Sequence, residues 1–237
     1  MERSDPSAPR PAPIPSSIRI LHRDDAIVVV DKPSGLSVHR GDDQGSVFAL
    51  NLTRDAVEHW VYPVHRLDRA TSGVLVFALS PEHARTLQRS FDARDVEKTY
   101  LALVRGKPPL SGVIDSPMEK REGGPRVEAL TEFDTRFVSD VFRVSLVEAR
   151  PRTGRRHQIR RHLRRINHPV AGDVRYAKGI ENRAYRAQLG LYRLALHGKS
   201  LSFIHPATGE RVSFESPVPE DLAEPLHRAG IPRALLL

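Results

Sequence analysis

Three short, almost unbroken apolar runs constrain what this chain can fold into: Ala26-Ile27-Val28-Val29-Val30, Val74-Leu75-Val76-Phe77-Ala78 and Tyr100-Leu101-Ala102-Leu103-Val104. Each is too short for a core helix and has Pro or Gly nearby: Pro33 and Gly35 after the first, Gly73 before the second, and the Pro/Gly-rich stretch 106–125, read as a loop, after the third. Such runs are buried strands. Val141 to Ala149 alternates and reads as a further strand, and Leu191 to Phe203 has room for one or two more. Helical signals are fewer. Ser80-Pro81-Glu82 opens a helix, with Ser80 as N-cap, Pro81 in the first helical position and Glu82 favoured by the helix dipole; Ala84, Leu87 and Phe91 form its inner face. Strands outnumber helices without regular interleaving, which predicts an α+β fold rather than a doubly wound parallel sheet.

At 237 residues with 39% hydrophobic content, the chain can bury one substantial core, in one or two lobes. Residues 1–17 carry prolines at 6, 9, 11, 13 and 15 among small and polar neighbours, the composition of an extended, disordered arm. The remainder, 18–237, is expected to form a single catalytic domain. With no cysteine, neither a disulfide framework nor a thiolate zinc site can form. No apolar run approaches a bilayer span and no signal-peptide segment opens the chain, so the expectation is a soluble, cytoplasmic protein with no membrane partner.

A formal net charge of +8 makes nucleic acid the leading partner class, and the charge is clustered. Residues 152–165 hold seven arginines, at 152, 155, 156, 160, 161, 164 and 165. If 156–166 is helical, Ile159, Leu163 and Ile166 share the buried stripe. Arg160 lies about 100° from Ile159 on the border of that stripe, while Arg161 and Arg165 turn outward, placed for phosphates. Arg160 can either reach an interior carboxylate or snorkel along its apolar stem.

The carboxylate with the most suggestive surroundings is Asp68, in His65-Arg66-Leu67-Asp68-Arg69-Ala70-Thr71-Ser72-Gly73. It lies between two arginines in a loop bounded by Pro63 and Gly73, where strands hold a short connection. A neighbouring guanidinium favours the ionised form of a carboxylate, as a nucleophile requires. On the residues alone, a surface ion pair that merely holds a turn is the better fit. His65, His157 and His162 do not suggest a metal: the latter two diverge by about 140° on a helix, and no carboxylate completes a ligand spacing. Neither nucleotide-binding glycine motif occurs.

The string HRLDRATSG resembles the active-site signature of the RluA-type family of RNA pseudouridine synthases. Three further elements follow the family's order: Asp31-Lys32-Pro33-Ser34-Gly35 resembles its K-P-x-G element, Lys98-Thr99-Tyr100 its K-x-Y element, and Arg152 to Arg160 its R-T-G-R-x-H-Q-I-R element. The resemblance covers roughly residues 18 to 215. It implies the pseudouridine synthase fold, with a mixed, mostly antiparallel central sheet flanked by helices and loops. It also implies an isomerase that converts uridine to pseudouridine by breaking the N1–C1′ bond, turning the uracil and joining C5 to the ribose. That chemistry has no redox change and consumes no phosphate energy, so no cofactor and no metal are expected.

In the resemblance Asp68 is the catalytic aspartate, acting either at C6 of the base or at the sugar. Arg160 pairs with it, and Tyr100, otherwise readable as a core aromatic, stacks on the extruded base. Arg66 fills the gap left in the RNA. Substrate contacts are expected from His65, Arg69 and Thr71 of the signature, from Arg155, Arg156, His157, Gln158 and Arg161 of the arginine-rich element, and from Leu196. The strings Lys32 to Arg40, Arg164 to Asp173, Glu181 to Arg183 and Gly190 to His197 lean towards a branch of the family that modifies a uridine in the acceptor/T-stem region of tRNA. The connection between about 105 and 140 looks short for that branch. The chain also lacks room for the N-terminal S4 domain of several rRNA-directed relatives. An rRNA-specific synthase and a non-catalytic RNA-binding module are the competing readings. A monomer with RNA as its partner is expected.

Overall fold

The computed structural model describes residues 16–40, 47–119 and 123–236. Of the arm expected over 1–17, all but Ser16 and Ser17 lies outside the described residues. In chain order the elements are β1 (Arg19–Arg23), β2 (Ile27–Lys32), α1 (Ala49–Val57), β3 (Tyr62–Pro63), β4 (Ser72–Ala78), α2 (Pro81–Asp92), β5 (Glu97–Arg105), β6 (Ser111–Asp115), β7 (Met118–Glu119), β8 (Arg126–Val127), β9 (Leu130–Ser139) and β10 (Val144–Pro151). Then come α3 (Gln158–Arg165), α4 (Gly179–Leu189), β11 (Leu196–Ile204), β12 (Arg211–Glu215), α5 (Glu220–Arg228) and a closing 3₁₀ turn, Arg233–Leu235.

Ten strands form one mixed sheet in the order β1-β2-β4-β11-β5-β10-β9-β6, with β3 added to β4 and β12 to β11. The apolar runs occupy its middle. In β2, Val28 and Val30 pack into one buried cluster while Ile27 and Val29 join another, and β4 divides in the same way. Both faces of these strands are therefore covered, which is why they read as continuous apolar runs rather than alternating ones. A third cluster, between the other half of the sheet and α3, α4 and α5, gathers Leu101, Leu103, Leu146, Leu163, Leu189 and Leu226. The fold is α+β, as the sequence pattern implies.

The sheet's two halves meet at a narrow seam. Strand β11 runs parallel to β4 only at His197↔Ser72 and Gly198↔Gly73, and is antiparallel to β5 and β12. A side chain at Gly73, whose φ is +131°, would have its Cβ 2.2 Å from the Gly198 carbonyl oxygen, so the approach at this position admits only glycine.

Three sequence-level expectations change. The stretch 106–125 contains β6 and β7, and β6 pairs with the long strand β9, whose Glu132, Asp134 and Arg136 obscured its strand pattern. The strand expected from Val141 starts at Val144, because Val141 sits exposed in the turn, and its first four residues are all buried. Helices α1, α4 and α5 were not anticipated. Helix α2 opens as expected, with Ser80 Oγ accepting the His83 N–H at 3.1 Å. No helix among the described residues is long and apolar enough to cross a membrane.

Candidate active site

The loop between β3 and β4 is built from below before it presents Asp68. His65 turns inward: its ring stacks on Phe91 with centroids 4.8 Å apart, and Nε2 accepts the Val76 N–H at 3.1 Å. Burial, and to a lesser extent the charge of Lys98, push this imidazole down to about 3, so it is neutral and anchors the loop's start. The Lys32-Pro33-Ser34-Gly35 turn braces the other side. The fully buried Lys32 ammonium donates to the carbonyls of Pro33 (2.8 Å), Leu36 (2.7 Å) and Arg69 (3.3 Å). Gly35 N–H donates to the Arg69 carbonyl, Arg69 Nε to the Gly35 carbonyl and Ser34 Oγ to the Ala70 carbonyl. Burial draws Lys32 down to about 7.

Helix α3 supplies the opposing wall, and Gln158 sets its start. The Gln158 Oε1 accepts from Thr153 Oγ1 and Arg155 N, and Nε2 donates to the Leu130 carbonyl and Thr131 Oγ1, all between 2.7 and 3.0 Å. The same Thr131 hydroxyl bonds His162 Nδ1 at 2.8 Å, while His162 Nε2 faces the Ser116 carbonyl at 3.1 Å. A carbonyl only accepts, so His162 carries its proton on Nε2 and is a core residue. Just before the helix, His157 adopts a left-handed conformation, φ 55°. This places its ring between Tyr176, whose hydroxyl is 3.0 Å from Nδ1, and Asp68, whose Oδ1 is 3.9 Å from Nε2.

At the centre, Arg160 Nη1 donates to Asp68 Oδ2 at 3.2 Å, while Nε and Nη2 donate to Asp173 at 2.7 and 2.9 Å. The Arg160 side chain is 8% exposed, Asp173 0% and Asp68 21%, so the triad opens to solvent at Asp68. Burial would raise Asp173, but the guanidinium and the N–H groups of Arg175 and Tyr176 outweigh it and hold the carboxyl low. Tyr176, on the turn that follows, lies over Arg160 with the guanidinium carbon 5.1 Å from its ring centre. Two carboxylates thus share one guanidinium, and Asp68 is the one that faces the cavity.

That cavity, 440 Å³, is lined by Leu67, Asp68, Thr71, Tyr100, Ile159, Arg160 and Leu196, with Lys98, Arg94, Arg155 and Arg156 around it. Burial and the neighbouring Asp68 charge push the Tyr100 phenol above its usual range, so it is a neutral ring wall. The Thr71 hydroxyl is buried and has no hydrogen-bond partner among the described residues. Lys98, two residues before Tyr100 on the same strand face, is drawn down to about 8 by burial. On the other side of Asp68, a second hollow of 330 Å³ is bordered by His39, Arg66, Arg69, Arg156 and His157.

The structure therefore brings Asp68, Tyr100, Arg160, Thr71 and Leu196 together, sets Arg66, Arg69, Arg155, Arg156 and His157 around them, and uses His65 and Gln158 as supports of the cavity wall. Arg161 lies outside both cavities. The arginine-rich segment is also divided. Arg152 is paired in fork geometry with Glu132, Arg155 Nε donates to the Glu128 carbonyl and Arg160 is internal, whereas Arg161, Arg164 and Arg165 make no ion pair among the described residues. Sequence reasoning assigned no role to Lys32, Lys98, Asp173 or Tyr176. Lys32 and Lys98 lay within the matched K-P-x-G and K-x-Y elements, and Asp173 was signalled by a charge set in an apolar context, Val170-Ala171-Gly172-Asp173.

Comparison with known proteins gives one answer. A family model described as RNA pseudouridylate synthase matches residues 26–165. The chain is 37% identical over 217 residues to tRNA pseudouridine synthase C of Haemophilus ducreyi, covering 83% of this chain and 89% of that one. It is 34% identical to the protein of the same name in Vibrio cholerae, covering 93% of this chain and 99% of that one. Among solved structures it is similar to human RNA pseudouridylate synthase domain containing 4, with a TM-score of 0.73, 28% identity, and coverage of 90% of this chain and 93% of that one.

Proposed function

Because the chain belongs to the RNA pseudouridylate synthase family, and is an isomerase that converts uridine to pseudouridine in RNA, we propose that its substrate is tRNA and that Asp68 is the catalytic residue. The observation that carries this reading is the Asp68–Arg160 pair, 3.2 Å apart, at the wall of a 440 Å³ cavity that also contains Tyr100. A carboxylate there is held by its guanidinium with one oxygen left to face an extruded nucleoside. Tyr100 stacks on the uracil, Leu196 and Ile159 cover its edges, and the unpartnered Thr71 hydroxyl is available to a base carbonyl. The N1–C1′ bond breaks, the uracil turns within the cavity, C5 bonds to C1′, and the C5 proton is lost while N1 gains one. Atoms and electrons balance without any added group. Arg66 and the cations around the second hollow hold the RNA from which the base has been extruded.

The tRNA assignment rests on the names of the relatives and on the strings shared with the tRNA-directed branch. Residues 18–237 are read as one catalytic unit, since one sheet runs through both halves of the fold, and that unit is proposed to act as a monomer. Incubating the purified protein with unmodified tRNA and with rRNA fragments, then mapping pseudouridine, tests the substrate. Pseudouridine at a single tRNA position is expected; formation only in rRNA would overturn the tRNA assignment.

A further inference from the structure

The seam beneath the cavity carries a buried, directed chain of hydrogen bonds. Arg193 Nη2 donates to Ser72 Oγ at 2.6 Å, and Ser72 Oγ lies 2.9 Å from His197 Nδ1. His197 Nε2 lies 3.0 Å from the Ser216 carbonyl, and Ser216 Oγ donates to Asp31 Oδ1 at 2.7 Å. The carbonyl must accept, so His197 is protonated on Nε2 and the Ser72 hydroxyl donates to Nδ1. Ser72, His197 and Ser216 are all buried, so the two bonds of the His197 ring are made away from water, where an unmade one is most costly.

Arg193 is where this chain meets the catalytic parts. Its side chain is 8% exposed, yet among the described residues its carboxylate partner lies outside the core: Nη1 reaches outward at 2.7 Å to Asp221 of α5, which is 49% exposed. The other guanidinium contacts hold structure. Nε donates to the Leu194 carbonyl, while Nη2 also lies within reach of the Leu196 carbonyl, at the residue that walls the cavity. Ser72 closes the loop that starts at His65 and carries Asp68. The backbone of Arg193 is placed just as tightly: a Cβ at Gly172, the residue before Asp173, would lie 1.9 Å from the Arg193 carbonyl oxygen. One residue thus touches the end of the Asp68 loop, the cavity wall and the turn that orients Arg160.

We propose that Arg193 is a positioning residue for the reaction: its guanidinium fixes the Ser72 end of the Asp68 loop against the Leu196 wall, with Asp221 on α5 setting its orientation. Lys32 secures the same loop at Arg69, so two buried cations hold it at separate points. Displacing the loop by a fraction of the Asp68–Arg160 distance lowers turnover without removing any group that touches RNA.

This inference rests on the proposed active site, and the test separates the two. Turnover of an RNA substrate, RNA affinity and melting temperature are measured for Ser72→Ala, Arg193→Met, Arg193→Lys, Asp221→Asn and the Ser72→Ala/Arg193→Met double variant. Ser72→Ala and Arg193→Met should each lower kcat about tenfold with KM within about twofold, and the double variant should again lose about tenfold, since both changes cut one link. Arg193→Lys should recover part of the loss, and the half-exposed Asp221→Asn should cost about threefold in kcat. A double variant whose loss is the product of the singles, RNA affinity that falls in parallel, or unchanged kcat in both Ser72→Ala and Asp221→Asn would overturn the inference. Should Arg193→Met unfold, those last two variants decide it. A wild-type protein that leaves uridine unchanged refutes the active-site reading instead.

Discussion

Replacing Gln158 by leucine removes four hydrogen bonds from the junction of α3 with the sheet while conserving side-chain size. Three of the partners keep another bond. The Leu130 carbonyl still accepts from Arg152 N, Thr131 Oγ1 still meets His162, and Thr153 Oγ1 still accepts from Leu130 N. Among the described residues the Arg155 N–H has only Gln158 as a partner. Two modest losses and two donors stranded by the change, the Arg155 N–H and the Thr153 O–H, sum to at least about 3 kcal/mol. For a chain of this length that lowers the melting temperature by at least about 6 °C. Calorimetry on the variant, with tRNA affinity measured at fixed salt, checks the reasoning. Affinity should stay within about twofold, because all four of these amide bonds are made within the protein. A variant that melts with the wild type but binds RNA about tenfold more weakly would refute the scaffold role and make Gln158 an RNA contact.

Other consequences are equally specific. Arg160→Lys leaves a single cation that cannot serve Asp68 and Asp173 together; kcat should fall about a hundredfold, roughly 2.7 kcal/mol, at unchanged RNA affinity, and a loss under about threefold would contradict the shared-guanidinium geometry. His65 is held near 3 in the folded protein against 6.5 for the free side chain, so the folded state binds fewer protons between those values. The stability that depends on its neutral ring is complete above pH 6.5 and is lost as pH falls towards 3. His65→Gln, which keeps an acceptor for Val76 N–H, should flatten that slope in urea titrations at pH 7.5 and 5; an unchanged slope would contradict it. Substituting Arg161, Arg164 and Arg165 together by alanine should reduce the slope of log affinity against log salt by about 2–3 across all RNAs, and an unchanged slope would remove this helix face from the RNA path.

What could be read from the sequence follows how local the causes are. Ser80 and Pro81 announce α2 because a cap involves residues three apart, and Ile159 and Leu163 mark the inner face of α3 because a helix repeats within a turn. Asp68, Arg160 and Tyr100 are 92 and 32 residues apart in the first and second cases, so no local rule joins Asp68 to the others; the family's motif order did. Arg152 and Arg155 read as part of one cationic cluster because their partners Glu132 and Glu128 come from other elements. Asp173 was hidden in an apolar string, and the seam network of Arg193, Ser72, His197 and Ser216 is drawn from three parts of the chain. Strand β9 was missed for a related reason: its charged residues mask a pattern that only pairing with β6 and β10 makes evident.

The central claim is that one carboxylate, oriented by Arg160, performs the isomerisation. The most direct measurement follows release of tritium from [5-³H]uridine-labelled tRNA by wild type and Asp68→Asn, with binding of the same tRNA measured alongside. The account predicts release by the wild type, none above background by the variant, and equal binding by both; a variant that still releases tritium at a rate near the wild type would contradict it.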